Sequence, residues 1–346
     1  MIIGVGLDGR LGLSFTELGE MGREAGRLGF ESIWTPALGV PDSFHICGAW
    51  AEASKEVSGS ALRSGISVVP APRQWHPVSL AIQAATVSVR SDGNFVLGIG
   101  TGGAGPEYFA SAGFPNRPLA VMRDYLTILR GLLAGESVTY KGVAFSVENT
   151  SIGSGFAPIP VYLAALGPQM LRLAGESADG VCLNWASPEQ IAWSRSELAT
   201  GAKAAGRNAD DLLLSMYIRV CVDEDVDAAR RAFATQVLGY SMARPGVDRT
   251  LAYRGHFGRM GFEEVLLDLE ARRDAGASMA QLVDAAPNEM LRAVGYFGPA
   301  KGAAQAYAEL ATGLDETIVR IITARPGPDP VVEAMEALTP ALIRGN

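Results

Sequence analysis

The residues best placed to do chemistry follow apolar runs. Gly100-Thr101-Gly102-Gly103-Ala104-Gly105 comes directly after the run Phe95–Ile99. Its spacing matches GxGxxG, in which glycines let backbone approach a dinucleotide pyrophosphate. The surroundings reject a dinucleotide fold. The fingerprint needs glycines that open a helix, but Pro106-Glu107-Tyr108-Phe109 follows. It also needs an acidic residue ending a second strand about 20 residues on; Asp124 has near that spacing but sits inside a helical pattern. No Gly-Lys-Ser/Thr follows, which excludes a P-loop. The glycines still imply close backbone approach, either to a ligand or in a tight turn.

A second segment, Leu166-Gly167-Pro168-Gln169-Met170-Leu171, ends an apolar run at Gly167 and opens a helix at Pro168. The free N–H groups of Gln169 and Met170, with the helix dipole, can hold an anion, although many helices start this way without a ligand. A third, Ile66-Ser67-Val68-Val69-Pro70, runs through Ala71-Pro72-Arg73-Gln74-Trp75 to His76-Pro77. His76 either caps the following helix or handles a proton. Trp34 and Trp185 lie near strand ends, as core or as ring-stacking partners. Asn184 follows a strand, and Tyr217 and Arg219 lie within one. Arg219 binds an anion if it points into a site, and if buried needs a partner either way. His256 and Arg259 fall in an irregular stretch read as a solvated loop, with Arg259 suited to carboxylate or phosphate.

No paired carboxylates, Ser-His-Asp set or Cys-His couple stands out. The three cysteines (Cys47, Cys182, Cys221) form no CxxC, and the three histidines (His45, His76, His256) have no HxxxH spacing, which argues against zinc. Without a nucleophile or metal, hydride or oxygen chemistry on an organic cofactor is the natural remainder, with the protein binding and orienting that cofactor.

The elements that must position these residues alternate from end to end. Strand patterns fall at 2–7, 32–35, 65–69, 95–99, 160–164, 180–183, 212–222 and 317–323, each followed by helical material. Pro118–Ala134 is the clearest helix, with Leu119, Met122, Leu126, Leu129 and Leu133 in one stripe. The extra pieces are a hairpin within 138–158, turning at Lys141-Gly142, and a region at 241–300. Alternation implies a parallel sheet, and runs that are apolar throughout imply strands buried on both faces. Eight such units favour a single (β/α)8 TIM barrel over 1–346, with an open doubly wound sheet as the alternative.

Composition agrees. A chain of 346 residues with 48% hydrophobic and 19% charged residues can bury a large core. Its formal charge of −8 leaves no global basic footprint for nucleic acid or an anionic membrane, so a cofactor anion needs a local site. Sparse, odd cysteines fit a reducing compartment. The opening Met1-Ile2-Ile3-Gly4-Val5-Gly6 lacks a basic region, so no secretory signal is expected, and no apolar stretch reaches the ~18 residues of a membrane span. The cytoplasm is the expected location.

Several segments resemble one family. Val161–Gly175 with Ala178-Asp179-Gly180-Val181 resembles the luciferase-like superfamily, and within it the coenzyme F420-dependent oxidoreductases, such as methylenetetrahydromethanopterin reductase. Leu97–Gly102, Ser67-Val68-Val69-Pro70 with His76-Pro77-Val78, and Gly19–Trp34 fit the same pattern. The resemblance implies a luciferase-like barrel holding a deazaflavin or flavin ring at its C-terminal mouth. It implies a non-prolyl cis peptide in strand three, by position Ile66–Ser67, whose bulge backs the ring. It places the cofactor phosphate at Gly167, Pro168 and Gln169, and lines the cofactor with Gly100, Thr101, Gly102 and Gly103, with Asn184 nearby. Two departures concern substrate. Thr35-Pro36-Ala37-Leu38 replaces an Asp-His pair of many relatives, and Gly103 replaces a Glu, with Glu107 four residues on.

The first expectation is therefore hydride transfer between F420 and a small organic substrate, with His76, Glu107 or His45 for proton transfer and a homodimer as in relatives. The alternatives are an FMN-dependent monooxygenase in the same site and a barrel that binds a flavin without turnover. Oxygen consumption separates the first two, because reduced deazaflavin reacts poorly with oxygen.

Overall fold

The computed structural model describes residues 1–37, 39–102 and 113–345. Eight parallel strands close into a barrel: β1 (Ile2–Gly6), β2 (Ser32–Thr35), β3 (Arg63–Pro70), β4 (Phe95–Gly100), β7 (Val161–Ala164), β8 (Gly180–Asn184), β9 (Leu213–Val222) and β11 (Glu316–Ile321). The β8–β9 pairing closes the ring and β1 pairs with β11. The expected hairpin forms as β5 (Val138–Lys141) and β6 (Ser146–Thr150).

Local chemistry fixes the boundaries. Ser14 and Glu17 form a capping box at the start of helix Phe15–Arg27. Asp42 caps helix Ser43–Ser58, and Gly59 ends it with φ +75°. Proline occupies the first turn of helices Pro77–Arg90, Pro118–Leu133, Pro168–Ser177 and Pro188–Ala204. The main core lies between strands and helices, with Ile3, Ile33, Ile66 and Leu97 pointing outward into it.

The interior is a separate stack of Trp34, Val96, Tyr162, Cys182, Tyr217 and Ile318. Glycines make room for these rings: a Cβ on Gly65 would overlap the Trp34 indole. At the floor, buried Glu316 accepts from the Ser32 hydroxyl (2.9 Å) and the Trp34 indole N–H (3.2 Å), with Arg63 3.5 Å away.

The region 241–300 is ordered throughout, including the stretch around His256 and Arg259 that the sequence left irregular. It contains helices Ala252–Phe257, Glu263–Asp274, Met279–Ala285 and Asn288–Arg292 and a short strand, β10 (Gly295–Gly298). These pack a second apolar cluster with Trp185, Phe233, Phe257 and Phe297. The Arg-rich stretch is no solvated loop. Fully buried Glu270 accepts from Arg249 (2.6 Å), Arg254 (2.8 Å) and the Ala243 N–H (2.8 Å), which satisfies the carboxylate and pins the segment. Strand β10 pairs with Arg219–Val222 of β9, beyond the point where β8 leaves that edge. It was missed because four residues with glycine at both ends carry no period-2 signal.

Candidate active site at the barrel mouth

The C-terminal ends of the strands form the mouth. Around the ring, β3, β4 and β7 lie opposite β9, β11 and β1, and the two walls differ in chemistry.

The first wall carries the resemblance-derived positions. The pairing of β3 with β4 shifts between Ile66 and Val69, and the cis peptide is Ser67–Val68. The expected Ile66–Ser67 bond is therefore corrected by one position. The reason is visible in the register. Ile66 still alternates outward into the core, and the break falls after it, turning Val68 inward. Val40–Pro41 is also cis. A Cβ on Gly98 would overlap the Ile66 carbonyl and lie 3.1 Å from Val68; one on Gly100 would lie 2.9 Å from Ala164 and 3.1 Å from Val68. These glycines let the bulged strand approach. Thr101 is half-buried and Gly102 exposed with φ +85°. Gly103 and Glu107 lie outside the described residues, as does Leu38.

On the same wall, Gly167 caps helix Pro168–Ser177 without a side-chain cap, and the first turn has no acidic residue. Pro168 and Gln169 are exposed, and the space beside the Gly167 Cα is open. The turn's N–H groups are free to meet an anion. Arg259 donates to the Leu166 carbonyl at 2.9 Å, which brings a cation to this turn.

The histidines are placed differently. His45 is exposed and paired with Asp42 at 2.8 Å. His76 is the N-cap of helix Pro77–Arg90, with its Nδ1 facing the Val78 N–H at 3.4 Å. His256 is buried, its Nε2 donating to the Trp185 carbonyl at 2.9 Å, and burial pulls its pKa down to about 4. The structure does not bring His45, His76 and His256 together.

The second wall was seen only in part from sequence. Arg219 is buried, and its guanidinium lies 3.9 Å from the Trp185 ring centroid and 5.2 Å from that of Tyr240. It donates to the Asn184 amide oxygen, while the Asn184 amide nitrogen donates to the Tyr253 hydroxyl at 2.7 Å. Asn184 thus holds Arg219 in place. Burial lowers the Arg219 pKa to about 10. Arg320 donates to Asp8 and, at 2.9 Å, to the Gly6 carbonyl; Arg10 pairs with Asp8 at 2.7 Å. Burial would raise the Asp8 pKa, but Arg320 and Arg10 outweigh it and hold the carboxyl below its usual value. Tyr240 is likewise pushed up by burial, yet Arg219, Arg10 and Arg320 hold its phenol below the ordinary range. Asp8 and Arg10 also line a cavity of about 200 Å³ with Thr35, Pro36 and Trp50. Sequence reading missed Asp8, Arg10, Tyr240 and Arg320, which lie far apart along the chain. The only available signal was that Asp8 and Arg320 each sit at or just past a strand end, where barrel sites form.

Fold and mouth define a parallel (β/α)8 barrel with a cluster of charged residues, Asp8, Arg10, Arg219 and Arg320, at the C-terminal rim. Residues 3–317 match the model of the family described as luciferase-like monooxygenase. The chain belongs to that family. It is 30% identical over 192 residues to the 5,10-methylenetetrahydromethanopterin reductase of Methanolobus tindarius (55% of this chain, 54% of that one). It is 34% identical over 170 residues to the F420-dependent glucose-6-phosphate dehydrogenase of Microbacterium testaceum (48% and 51%). The chain spans about half the length of the curated relatives it matches. The coenzyme F420 dependent tetrahydromethanopterin reductase of Methanopyrus kandleri superposes with a TM-score of 0.73 over 99% of both chains at 21% identity. An FMN-bound type II Baeyer-Villiger monooxygenase of Pseudomonas putida gives 0.66 at 18% identity, over 99% of this chain and 98% of that one. Both likenesses establish the fold.

Proposed function

We propose that the chain is an F420-dependent oxidoreductase, acting through one barrel domain on a small organic substrate. The observation that carries this reading is the wall formed by the β3 bulge and the uncapped turn at Gly167. The curated relatives named as F420-dependent support the choice of deazaflavin over FMN.

The residues present fit the cofactor's two parts. Gly167 and Gln169 offer backbone N–H groups and open space to a phosphate, beside Arg259. Val68, brought inward by the bulge and flanked by Gly98 and Gly100, offers an apolar support to a flat ring. When bound there, the deazaflavin supplies hydride chemistry at a ring carbon. The chain's own contribution is orientation and exclusion of water, with Trp185 and Tyr240 covering the far side. His76 is the proposed proton carrier, since its Nε2 has no hydrogen bond among the described residues. His45 and Glu107 are the alternatives.

Equilibrium binding of oxidised F420 and of FMN, measured side by side by fluorescence, tests the reading. Micromolar or tighter F420 binding with weak FMN binding supports it. The reverse favours a flavin monooxygenase, for which oxygen uptake is the next assay.

A further inference from the structure

Among the described residues three arginines are buried: Arg219, Arg254 and Arg320. Arg254 holds Glu263 and Glu270, and Arg320 holds Asp8. Among the described residues Arg219 has no carboxylate within ion-pair distance, and its one hydrogen bond there, to Asn184, goes to a neutral amide. A guanidinium has five N–H donors, and a buried charge without a counter-charge is costly. The register makes the position less favourable, since Arg219 of β9 pairs directly with Arg320 of β11 and like charges directly opposite repel. Arg10 adds a third cation, while Asp8 is shared between Arg10 and Arg320. Among the described residues three guanidiniums thus face one carboxylate.

A second observation points the same way. Among the described residues the Tyr217 hydroxyl and the Trp185 indole N–H are buried without a hydrogen-bond partner. Tyr217 faces into the barrel beneath Arg320, whose guanidinium lies 5.5 Å from its ring centroid, and Trp185 covers Arg219. Native structures rarely leave such donors orphaned. Donors and excess positive charge converge on the wall opposite the β3 bulge.

We infer that this wall is the substrate subsite, and that it takes an oxyanion: a carboxylate or a phosphate monoester carried by the molecule that exchanges hydride with the cofactor. The inference rests on the proposed cofactor wall, because only with the ring on β3–β7 does the opposite side belong to substrate. Arg219 supplies the missing charge pairing and Tyr217 donates a neutral hydrogen bond. Asp8 keeps Arg320 and Arg10 aligned. Asn184 and Trp185 fix the Arg219 fork, as a bidentate contact requires.

Inorganic phosphate and acetate serve as separate probes, titrated calorimetrically into the full chain with and without F420. F420 binding is followed independently by fluorescence. Wild type is expected to bind at least one probe, and Arg219→Met to weaken that binding ten-fold or more while F420 still binds. Stronger binding of phosphate assigns a phosphate monoester, and of acetate a carboxylate. Arg219→Met should also raise the unfolding midpoint of the probe-free protein, because a buried charge held only by aromatic faces and a neutral amide is removed; a merely structural arginine would lower it. Failure of wild type to bind either probe overturns the inference, as does probe binding unchanged by Arg219→Met, or loss of F420 binding in that variant with probe binding intact. Failure of wild type to bind F420 at all instead overturns the cofactor reading.

Discussion

Arg219 and Arg320 stand at paired positions on neighbouring strands, yet Asp8 pairs with Arg320 and, among the described residues, no carboxylate pairs with Arg219. The arrangement survives because each cation is compensated differently. Arg320 has an ion pair, whereas Arg219 has the faces of Trp185 and Tyr240. A guanidinium over an aromatic face gains about 0.5–2 kcal/mol, less than a well-made buried ion pair recovers.

Asp8 is therefore the residue whose loss unbalances the mouth. Asp8→Asn keeps the shape but leaves Arg320 and Arg10 without their counter-charge. Breaking a buried pair from one side costs about 3–5 kcal/mol. The urea midpoint should fall accordingly with an unchanged slope; a fall below about 1 kcal/mol would mean that solvent already compensates the arginines.

His256 makes stability depend on pH. Its pKa falls from 6.5 in the unfolded chain to about 4 in the fold, so below pH 6.5 the unfolded state takes up a proton that the folded state refuses. Its stability contribution is complete above pH 6.5 and is lost as pH falls towards 4, by about 3 kcal/mol at 1.36 kcal/mol per unit. His256→Gln keeps a donor towards the Trp185 carbonyl and removes the titration. Denaturant midpoints of the two proteins should change their spacing between pH 7 and 4; parallel curves would mean His256 does not titrate there.

Gly167→Asp tests the turn proposed to hold the phosphate. A Cβ there meets open space and φ is −107°, so the fold should tolerate the change. Placing a carboxylate at the cap satisfies the free N–H groups and repels an incoming anion. F420 affinity should drop ten-fold or more while the thermal midpoint holds or rises. Unchanged affinity would put the phosphate elsewhere.

Gly98→Ala probes the bulge. The added methyl would overlap the Ile66 carbonyl and crowd Val68 and Cys182. Overpacking of this kind costs about 1–3 kcal/mol. The thermal midpoint should fall, and F420 binding should weaken in the protein that remains folded.

The eight strand–helix units and their order were legible in the sequence, as were the two segments proposed to wall the cofactor. These are legible because they are local: apolar runs, Gly and Pro punctuation, and caps act within a few residues. Tertiary structure decided the rest. The cis peptide falls at Ser67–Val68 because pairing with β4, not β3 alone, sets where the register breaks. His76 became a helix cap and His256 a buried support for Trp185, roles fixed by what packs around each. The arginine wall depends on closure most of all. Asp8 and Arg320 are 312 residues apart and meet because β1 and β11 are neighbours in the closed ring. A charged residue in a strand carries no mark of its future partner. Only the parallel register brought three guanidiniums to one carboxylate.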